Sequence, residues 1–376
     1  MDNNASYERY QRQIILKGFG KAAQQKLLQA TVLVIGAGGL GCPALQYLAA
    51  AGVGTIGIAD DDVVSLSNLH RQVLYHTSDI GSSKVTMAAI HLQQLNPEIK
   101  VVSLHVKITS QNAWDIISAY DVIIDGTDNF AARYVINDAC VLLNKPLVYG
   151  AVSQYEGQVA VFNHTSNTNE AAANYRDLFP QPPTEDEVPD CATAGVMGVL
   201  PGIIGTMQAA EAIKLITGIG QPLSNRLLTY NVLSNQVYEL GLTARNETSA
   251  LIPADKAAFM QTDYEWLCAA SNDNTFEIEV ATFDSLLDND TVTIIDVREK
   301  GELPLVDAFN HLQVPLSQLK NNLPAIAGNT IVVFCQSGKR SLQAARWLSG
   351  KFGASKTIHS LRGGIVAWKQ YQQQPL

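Results

Sequence analysis

The sequence predicts an α/β chain in two parts. A mostly parallel sheet with antiparallel additions comes first, and a second, smaller α/β unit follows. Three observations predict it. Thr31–Ile35 (TVLVI) is a short β-branched run that ends directly in glycines, as a buried strand does. Beyond it, apolar runs alternate with helical stretches, an order that builds a parallel sheet with helices on both faces. The alternation fades over 244–274 and starts afresh at Thr275.

In chain order, 40–51 reads as a helix of small residues, and 54–59 as a strand ending at Asp60-Asp61-Asp62. Residues 82–94 form a helical stretch stopped by Asn96-Pro97, and 100–106 alternates as a strand. The run 120–124 (YDVII) is a buried strand ending at Asp125, 130–143 is helical, and 146–149 returns to strand. Residues 157–163, 226–231 and 235–240 look like the antiparallel additions. Between them, 165–190 is polar and proline-rich and reads as an exposed, mobile loop. Residues 202–217 form a helix of apolar and small residues. In the second part, Val292–Asp296 and Thr330–Phe334 are buried strands and 341–351 is a helix. The expected domains are 1–245 and 275–376, joined by a linker over 246–274.

The chain has 376 residues, enough at about 150 per domain for two or three domains. Lys plus Arg is 26 and Asp plus Glu is 35, a net charge of −9 that argues against nucleic-acid or anionic-membrane partners. Cys42, Cys140, Cys191, Cys268 and Cys335 are scattered, with no C-x-x-C pair. That pattern suits a reducing cytoplasm and writes no disulfide framework. The first ten residues are polar, with no apolar targeting segment. The uncharged stretches 31–59 and 191–210 are broken by Gly and Pro and read as folded core rather than membrane spans.

Gly36-Ala37-Gly38-Gly39-Leu40-Gly41 fits G-x-G-x-x-G between a strand and a helix. Gly36, Gly38, Gly39 and Gly41 permit a tight turn and close approach to phosphate, on which the helix N-terminus turns its N–H groups. Asp60 lies about 20 residues on, where a carboxylate binds ribose hydroxyls. A NAD-dependent oxidoreductase would use the same motif. The residues downstream suit ATP better. Asn68, Arg71, Gln72 and Lys84 come next, and Asp125 and Asp128 stand at a strand's C-terminal end. Cations neutralise a polyphosphate, and a carboxylate such as Asp128 holds Mg²⁺. NAD requires neither.

The strings RYQRQ (9–13), GAGGLG, DDDVVSLSNLHRQ, DGTDN and CATAGV (191–196) resemble the ThiF/MoeB/HesA adenylyltransferases, relatives of the ubiquitin-activating enzymes. The resemblance covers roughly 6–245. It implies a Rossmann-like fold and ATP-dependent adenylation of the C-terminal glycine of a ubiquitin-like sulfur carrier protein. By motif match Asp60 holds ribose, Asn68, Arg71 and Lys84 contact phosphates, Gln72 supports them, and Asp128 binds Mg²⁺. Arg12 matches an arginine given across a homodimer. Cys191 matches the cysteine of related activating enzymes, where a thiolate takes the acyl group; packing beside Gly195 and Met197 is the equal alternative. Relatives often bind zinc through two C-x-x-C pairs. Here Asn174 and Asp177 stand at the first pair and the second pair, after Arg245-Asn246, is absent. With no histidine spacing to substitute, no zinc is expected.

In the second part, Cys335 ends a strand beneath the loop Gln336-Ser337-Gly338-Lys339-Arg340 and a helix start. Backbone N–H groups and cations there stabilise an anionic sulfur. With Asp296-Val297-Arg298-Glu299, Leu361-Arg362-Gly363-Gly364 and Trp368, residues 275–376 resemble a rhodanese domain. PLVDAFNH (304–311) departs from that family's usual glycine-histidine turn. The resemblance implies a persulfide on Cys335, filled by a donor such as a cysteine desulfurase and passed on to make a thiocarboxylate. The carrier is expected to serve molybdopterin synthesis, with thiamine synthesis or tRNA thiolation as alternatives. A non-catalytic scaffold for a ubiquitin-like partner is a further reading, opposed by Arg71, Lys84 and Asp128.

Overall fold

Thr31–Ile35 forms strand β1, buried from Val32 onward, at the middle of the first sheet. The computed structural model describes residues 7–165, 170–180, 195–264 and 276–372, except 288, 290, 300, 303, 317, 320–322, 325 and 327. It divides into two units, Met1–Tyr264 and Glu265–Leu376.

The first sheet has eight strands in the order β3-β2-β1-β4-β5-β6-β7-β8. On one side of β1 lie β2 (Thr55–Ala59) and β3 (Lys100–Leu104); on the other lie β4 (Val122–Asp125) and β5 (Leu147–Ser153), all parallel. Then β6 (Glu156–Phe162), β7 (Arg226–Asn231) and β8 (Gln236–Gly241) add by antiparallel pairing. The chain leaves β1 toward β2 and returns to its other side as β4. At such a switch point the strand ends open a crevice.

The helices begin with α1 (Gln11–Ile14) and α2 (Gly20–Gln29). Then α3 (Gly41–Ala51), rich in small residues, buries Cys42, Ala44, Leu45, Leu48 and Ala49 and stops at Gly52, whose φ of 83° suits glycine. Next come α4 (Lys84–Leu95), α5 (Ala113–Ser118), α6 (Phe130–Leu142) and α7 (Tyr175–Leu178). Helix α8 (Val199–Thr217) starts earlier than 202 because Pro201 fits a first turn, where its missing N–H has no helical partner to lose. It is the one helix among the described residues long and apolar enough to cross a membrane. Its Leu200, Ile204, Ala209 and Ala212 instead join the core of β1 and α3.

Two expectations are corrected. The segment 165–190 is not all exposed loop, because α7 buries Tyr175, Arg176 and Asp177. Charge is buried here because it is paired. Arg176 donates from Nε and Nη2 to Asp138 on α6 at 2.8 and 2.6 Å, and the Tyr264 hydroxyl donates to the same carboxylate at 2.8 Å. The linker does not begin at 246 either. Helices α9 (Asn246–Ser249) and α10 (Lys256–Gln261) belong to the first unit. Asp177 draws in α9, accepting from Arg245 N at 2.9 Å and from Thr248 Oγ1, and α10 is tied by Lys256 to Asp115 at 2.9 Å. The Asp177 carboxylate also accepts from Asn174 N at 2.8 Å, so Asn174 and Asp177 tie 174–177 to 245–248 by hydrogen bonds. The rest of the expected loop and linker, 166–169, 181–194 and 265–275, lies outside the described residues, Cys191 and Cys268 included.

The second unit holds a five-stranded parallel sheet, order β11-β10-β12-β13-β9. Its strands are β9 (Glu277–Ile278), β10 (Val292–Asp296), β11 (Leu312–Gln313), β12 (Thr330–Phe334) and β13 (Thr357–Leu361). Side chains alternate between two cores. Ile295 and Val333 join Ala345 and Leu348 of α12 (Lys339–Phe352) on one face. Ile294, Val332 and Phe334 meet Phe283 of α11 (Val280–Leu286) and Trp368 of α13 (Gly364–Gln372) on the other.

Asp138→Asn is expected to destabilise the first unit by about 3–5 kcal/mol, because it leaves buried Arg176 without a counter-charge. Urea denaturation of the full chain measures it. A loss below about 1 kcal/mol would show that the pair does not hold α7 in place.

Candidate active sites

At the crevice, backbone approaches backbone. A Cβ on Gly36 would lie 2.6 Å from the Gly126 carbonyl oxygen, and Gly36 has a φ of 92°. The glycine loop therefore nests between β1 and the turn after β4. Around it is a cavity of about 360 Å³, lined by Gly36, Gly38, Gly39, Asp60, Arg71, Gln72, Lys84 and Asp128 among others. Those eight sequence-predicted residues are thus brought together from β1, β2, β4, α4 and the connecting loops.

Each has a definite environment. Asp60 Oδ2 accepts from Ala37 N at 2.7 Å, joining the end of β2 to the glycine loop. Burial raises its pKa above the ordinary carboxylate value, opposed by Lys84 and by N–H donors. Lys84 is 4% exposed and its Nζ donates to Asp62 at 2.8 Å, the carboxylate being 68% exposed. Arg71 is braced by Asn68, whose Oδ1 accepts from Nη2 at 3.1 Å. Gln72 is buried, lines the cavity, and its Oε1 has no partner. The carboxylates after β4 divide their roles. Asp125 is buried and accepts from Thr127 N at 2.9 Å and Thr127 Oγ1 at 2.6 Å, which folds the turn. Burial raises its pKa, with Arg133 opposing. Asp128 is exposed at the cavity wall, free of that structural task.

Three predicted residues are not part of the cavity lining. Gly41 packs instead, since a Cβ there would lie 1.9 Å from the Gly36 oxygen. Asn68 instead accepts a hydrogen bond from Arg71. Arg12 is exposed on α1. Cys191 is outside the described residues. The sequence reading missed Arg133 and Lys107, both lining the cavity. Arg133 is buried, donates from Nη2 to Thr127 O at 3.2 Å and leaves Nε without a partner. Its signal was present, four residues after Asn129, whose side chain caps α6. Cys42 and Cys140 are buried, and burial pushes the Cys42 thiol up to about 12.

In the second unit Cys335 follows β12 and is fully buried. Ser341 Oγ lies 3.6 Å from its Sγ, and Ser360 Oγ donates to Ser341 Oγ at 2.9 Å. Gln336 and Ser337 are exposed, and Gly338 turns the chain with a φ of 90° into α12. Arg340 donates from both terminal nitrogens to Glu302, one at 2.8 Å. The Lys339 side chain lies outside the description. Asp296 and Arg298 form a buried pair, with Nη2 to Oδ2 at 2.6 Å, and Arg298 also donates to Pro304 O at 2.8 Å. Gly364 packs against the thiol's own backbone, its Cβ position 2.5 Å from Cys335 O.

A phosphate crevice in one unit and a cradled thiol in the other are the equipment of an activating enzyme that also moves sulfur. The chain belongs to the ThiF family, which it matches over residues 10–251, and residues 279–371 match the rhodanese-like domain. It is an adenylyltransferase carrying a sulfurtransferase domain. Over 262 residues it is 48% identical to the "Sulfur carrier protein adenylyltransferase" of Thermus thermophilus, covering 69% of this chain and 96% of that one. It is 40% identical to the "Probable adenylyltransferase/sulfurtransferase MoeZ" of Mycobacterium tuberculosis, covering 97% and 93%. It is 39% identical to the "Adenylyltransferase and sulfurtransferase MOCS3" of Culex quinquefasciatus, covering 97% and 88%. The crystal structure of E. coli MccB shares the fold, with a TM-score of 0.56 at 20% identity over 65% of this chain and 72% of that one.

The Glu302–Arg340 pair has a pH signature. Arg340's hydrogen bonds are the main cause holding the Glu302 pKa below its ordinary value. A depressed folded pKa stabilises above the unfolded value and loses that contribution as pH falls through the folded one. Acidification below about pH 4.5 is therefore expected to loosen the Cys335 loop. Hydrogen exchange of peptides spanning 330–345 reads this. Glu302→Gln should show raised exchange at neutral pH and a flatter acid response. Identical acid profiles in mutant and wild type would refute it.

Proposed function

We propose that the first unit binds ATP and adenylates the C-terminal glycine of a ubiquitin-like sulfur carrier, and that the second unit supplies sulfur from Cys335. The observation that carries the first half is the cavity wall. Arg71, Lys84 and Arg133 converge there beside an exposed Asp128, more positive charge than a nicotinamide cofactor requires. The unpartnered Gln72 Oε1 and Arg133 Nε add an acceptor and a donor for a nucleotide.

The carrier carboxylate is ionised at neutral pH and needs no general base. It attacks the α-phosphorus and pyrophosphate leaves. Charge grows on phosphate oxygens, so Arg71, Lys84 and Arg133 are worth more in the transition state than before it. Asn68 fixes the Arg71 guanidinium, and Asp60 and Gln72 orient the nucleoside side. Mg²⁺, held by Asp128, would supply further charge neutralisation. Persulfide sulfur on Cys335 then attacks the acyl carbonyl and AMP departs. A thiol reductant cleaves the resulting S–S bond to leave the thiocarboxylate. The Cys335 loop suits the anionic sulfur because Ser341 and the α12 N-terminus face it. A cysteine desulfurase is the proposed donor, a molybdopterin-synthase carrier the proposed acceptor, and the cytoplasm the compartment.

We also propose a homodimer in which Arg12 completes the partner's cavity. Arg12 is exposed on α1, away from its own cavity, beside Ile15 and Leu16, which are 61% and 58% exposed.

Asp128→Ala is expected to lower carrier-dependent ATP–pyrophosphate exchange by about 100-fold or more with an unchanged melting curve. Near-normal exchange would remove Asp128 from the site. Cys335→Ala should form carrier adenylate and no thiocarboxylate, read by mass spectrometry of the carrier. Full thiocarboxylate in that variant would mean another route for sulfur, with Cys191 the first residue to examine. Arg12→Ala and Asp128→Ala chains, each inactive alone, should regain activity when mixed. Absence of complementation despite measured subunit exchange would refute a trans-acting arginine.

A further inference from the structure

Linear spacing hides one cluster that folding assembles. A 3₁₀ turn, Thr77–Asp79, buries Asp79 against α4. Asp79 Oδ2 accepts from His76 N at 2.8 Å and meets His91 Nε2 at 2.8 Å. His76 Nδ1 stands 3.6 Å from the same oxygen. The two imidazoles touch edge to face, ring centroids 4.6 Å apart. One ligand atom from each residue falls within 4.8 Å of the others. Thus the histidines do offer a ligand set, contrary to the expectation from their spacing.

We propose that His76, Asp79 and His91 bind a divalent transition-metal cation of the zinc class. The cluster offers two neutral nitrogens and one carboxylate, a net charge of −1 for a dication. Imidazole favours Zn²⁺, Co²⁺ or Ni²⁺, whereas Mg²⁺ and Ca²⁺ prefer oxygen shells.

A capping box between His76 and Asp79 sets the His76 ring beside the carboxylate before any cation arrives. His76 is 66% exposed, and its Nδ1 stands 3.6 Å from Asp79 Oδ2, too long for a hydrogen bond and open to a cation. Tetrahedral ligands at zinc bond lengths lie about 3.3 Å apart, between the two distances to Asp79 Oδ2, and the two ring nitrogens lie within 4.8 Å of each other. On binding, the His91 Nε2 proton moves to Nδ1 if the ring is neutral, or to water if it is charged. The exposed His76 side is the entry path, and water completes the shell. Such a site exchanges its metal and yields it to chelators, unlike a closed four-cysteine site.

It also joins two parts that serve the crevice. Tyr75, next to His76, donates its hydroxyl to Ala37 O at 2.9 Å in the glycine loop. His91 lies on α4, whose first residue is Lys84. A bound cation would clamp these parts together.

The test uses the full chain with Cys191→Ser, Cys268→Ser and Cys335→Ser, which leaves only Cys42 and Cys140, both buried. Calorimetry with ZnCl₂ and visible spectra with CoCl₂ should show about one cation per chain on nitrogen and oxygen ligands. His76→Ala changes an exposed side chain, and His91→Gln keeps a donor to Asp79. Each should weaken Zn²⁺ at least about tenfold with an unchanged melting curve in chelator. Failure of the parent to bind Zn²⁺, or unchanged affinity in His76→Ala, would overturn the site. Adenylation need not be measured, so failure here is independent of the proposed function.

Discussion

Everything at the first site hangs on one contact among three glycines. The Gly36 oxygen lies where a Cβ of Gly41 would be, 1.9 Å away, and a Gly36 Cβ would strike Gly126 at 2.6 Å. Only a backbone without side chains passes there. The contact fixes the angle at which α3 leaves β1 and sets the turn after β4 against the loop. It also determines where charge is placed. Asp60 reaches Ala37 N from the neighbouring strand, and Asp125 closes its own turn. Asp128 is left facing the cavity. An alanine at Gly36 or Gly41 would push apart strand ends that converge on the crevice.

The strands and this site were legible in the sequence because both are local in chain or in topology. β1, β2, β4 and β12 are β-branched runs whose ends carry the chemistry, and a parallel sheet gathers such ends by construction. What stayed hidden depended on pairs distant in sequence. Residues 174–177 look like polar loop until Arg176 finds Asp138, and 246–261 looks like linker until Asp177 finds Arg245 and Thr248. A polar residue reads as exposed unless its partner is known. His91 likewise has no meaning as a ligand without the turn that brings Asp79 to α4. Arg133 was hidden for another reason. It sits in an apolar helix, and only the direction of its first turn sends the guanidinium back toward the β4 loop.

The two units solve one problem twice. In each, a parallel strand ends, a glycine with positive φ turns the chain, and a helix begins: Gly36 before α3 and Gly338 before α12. The N–H groups so gathered suit an anion. In the proposed function, one loop receives phosphate oxygens that arrive from solution. The other surrounds a sulfur that is part of the chain. Cys335 is accordingly buried and held by Ser341, whereas the glycine loop borders an open cavity.

Exposure separates two kinds of ion pair in this fold. In Asp138–Arg176 and Asp296–Arg298 all four side chains are at most 4% exposed. Breaking such a pair strands a charge away from water, so neither partner is available to a ligand. In Lys84–Asp62 the cation is 4% exposed but its partner is 68% exposed, and in Arg340–Glu302 the two are 30% and 22% exposed. A carboxylate that can return to water releases its cation at little cost. Asp62 therefore keeps Lys84 oriented without holding it against a stronger anion, because an anion there would compete with one solvated carboxylate. Glu302 is three-quarters covered and hydrogen-bonded to both terminal nitrogens of Arg340, so that pair is the tighter of the two.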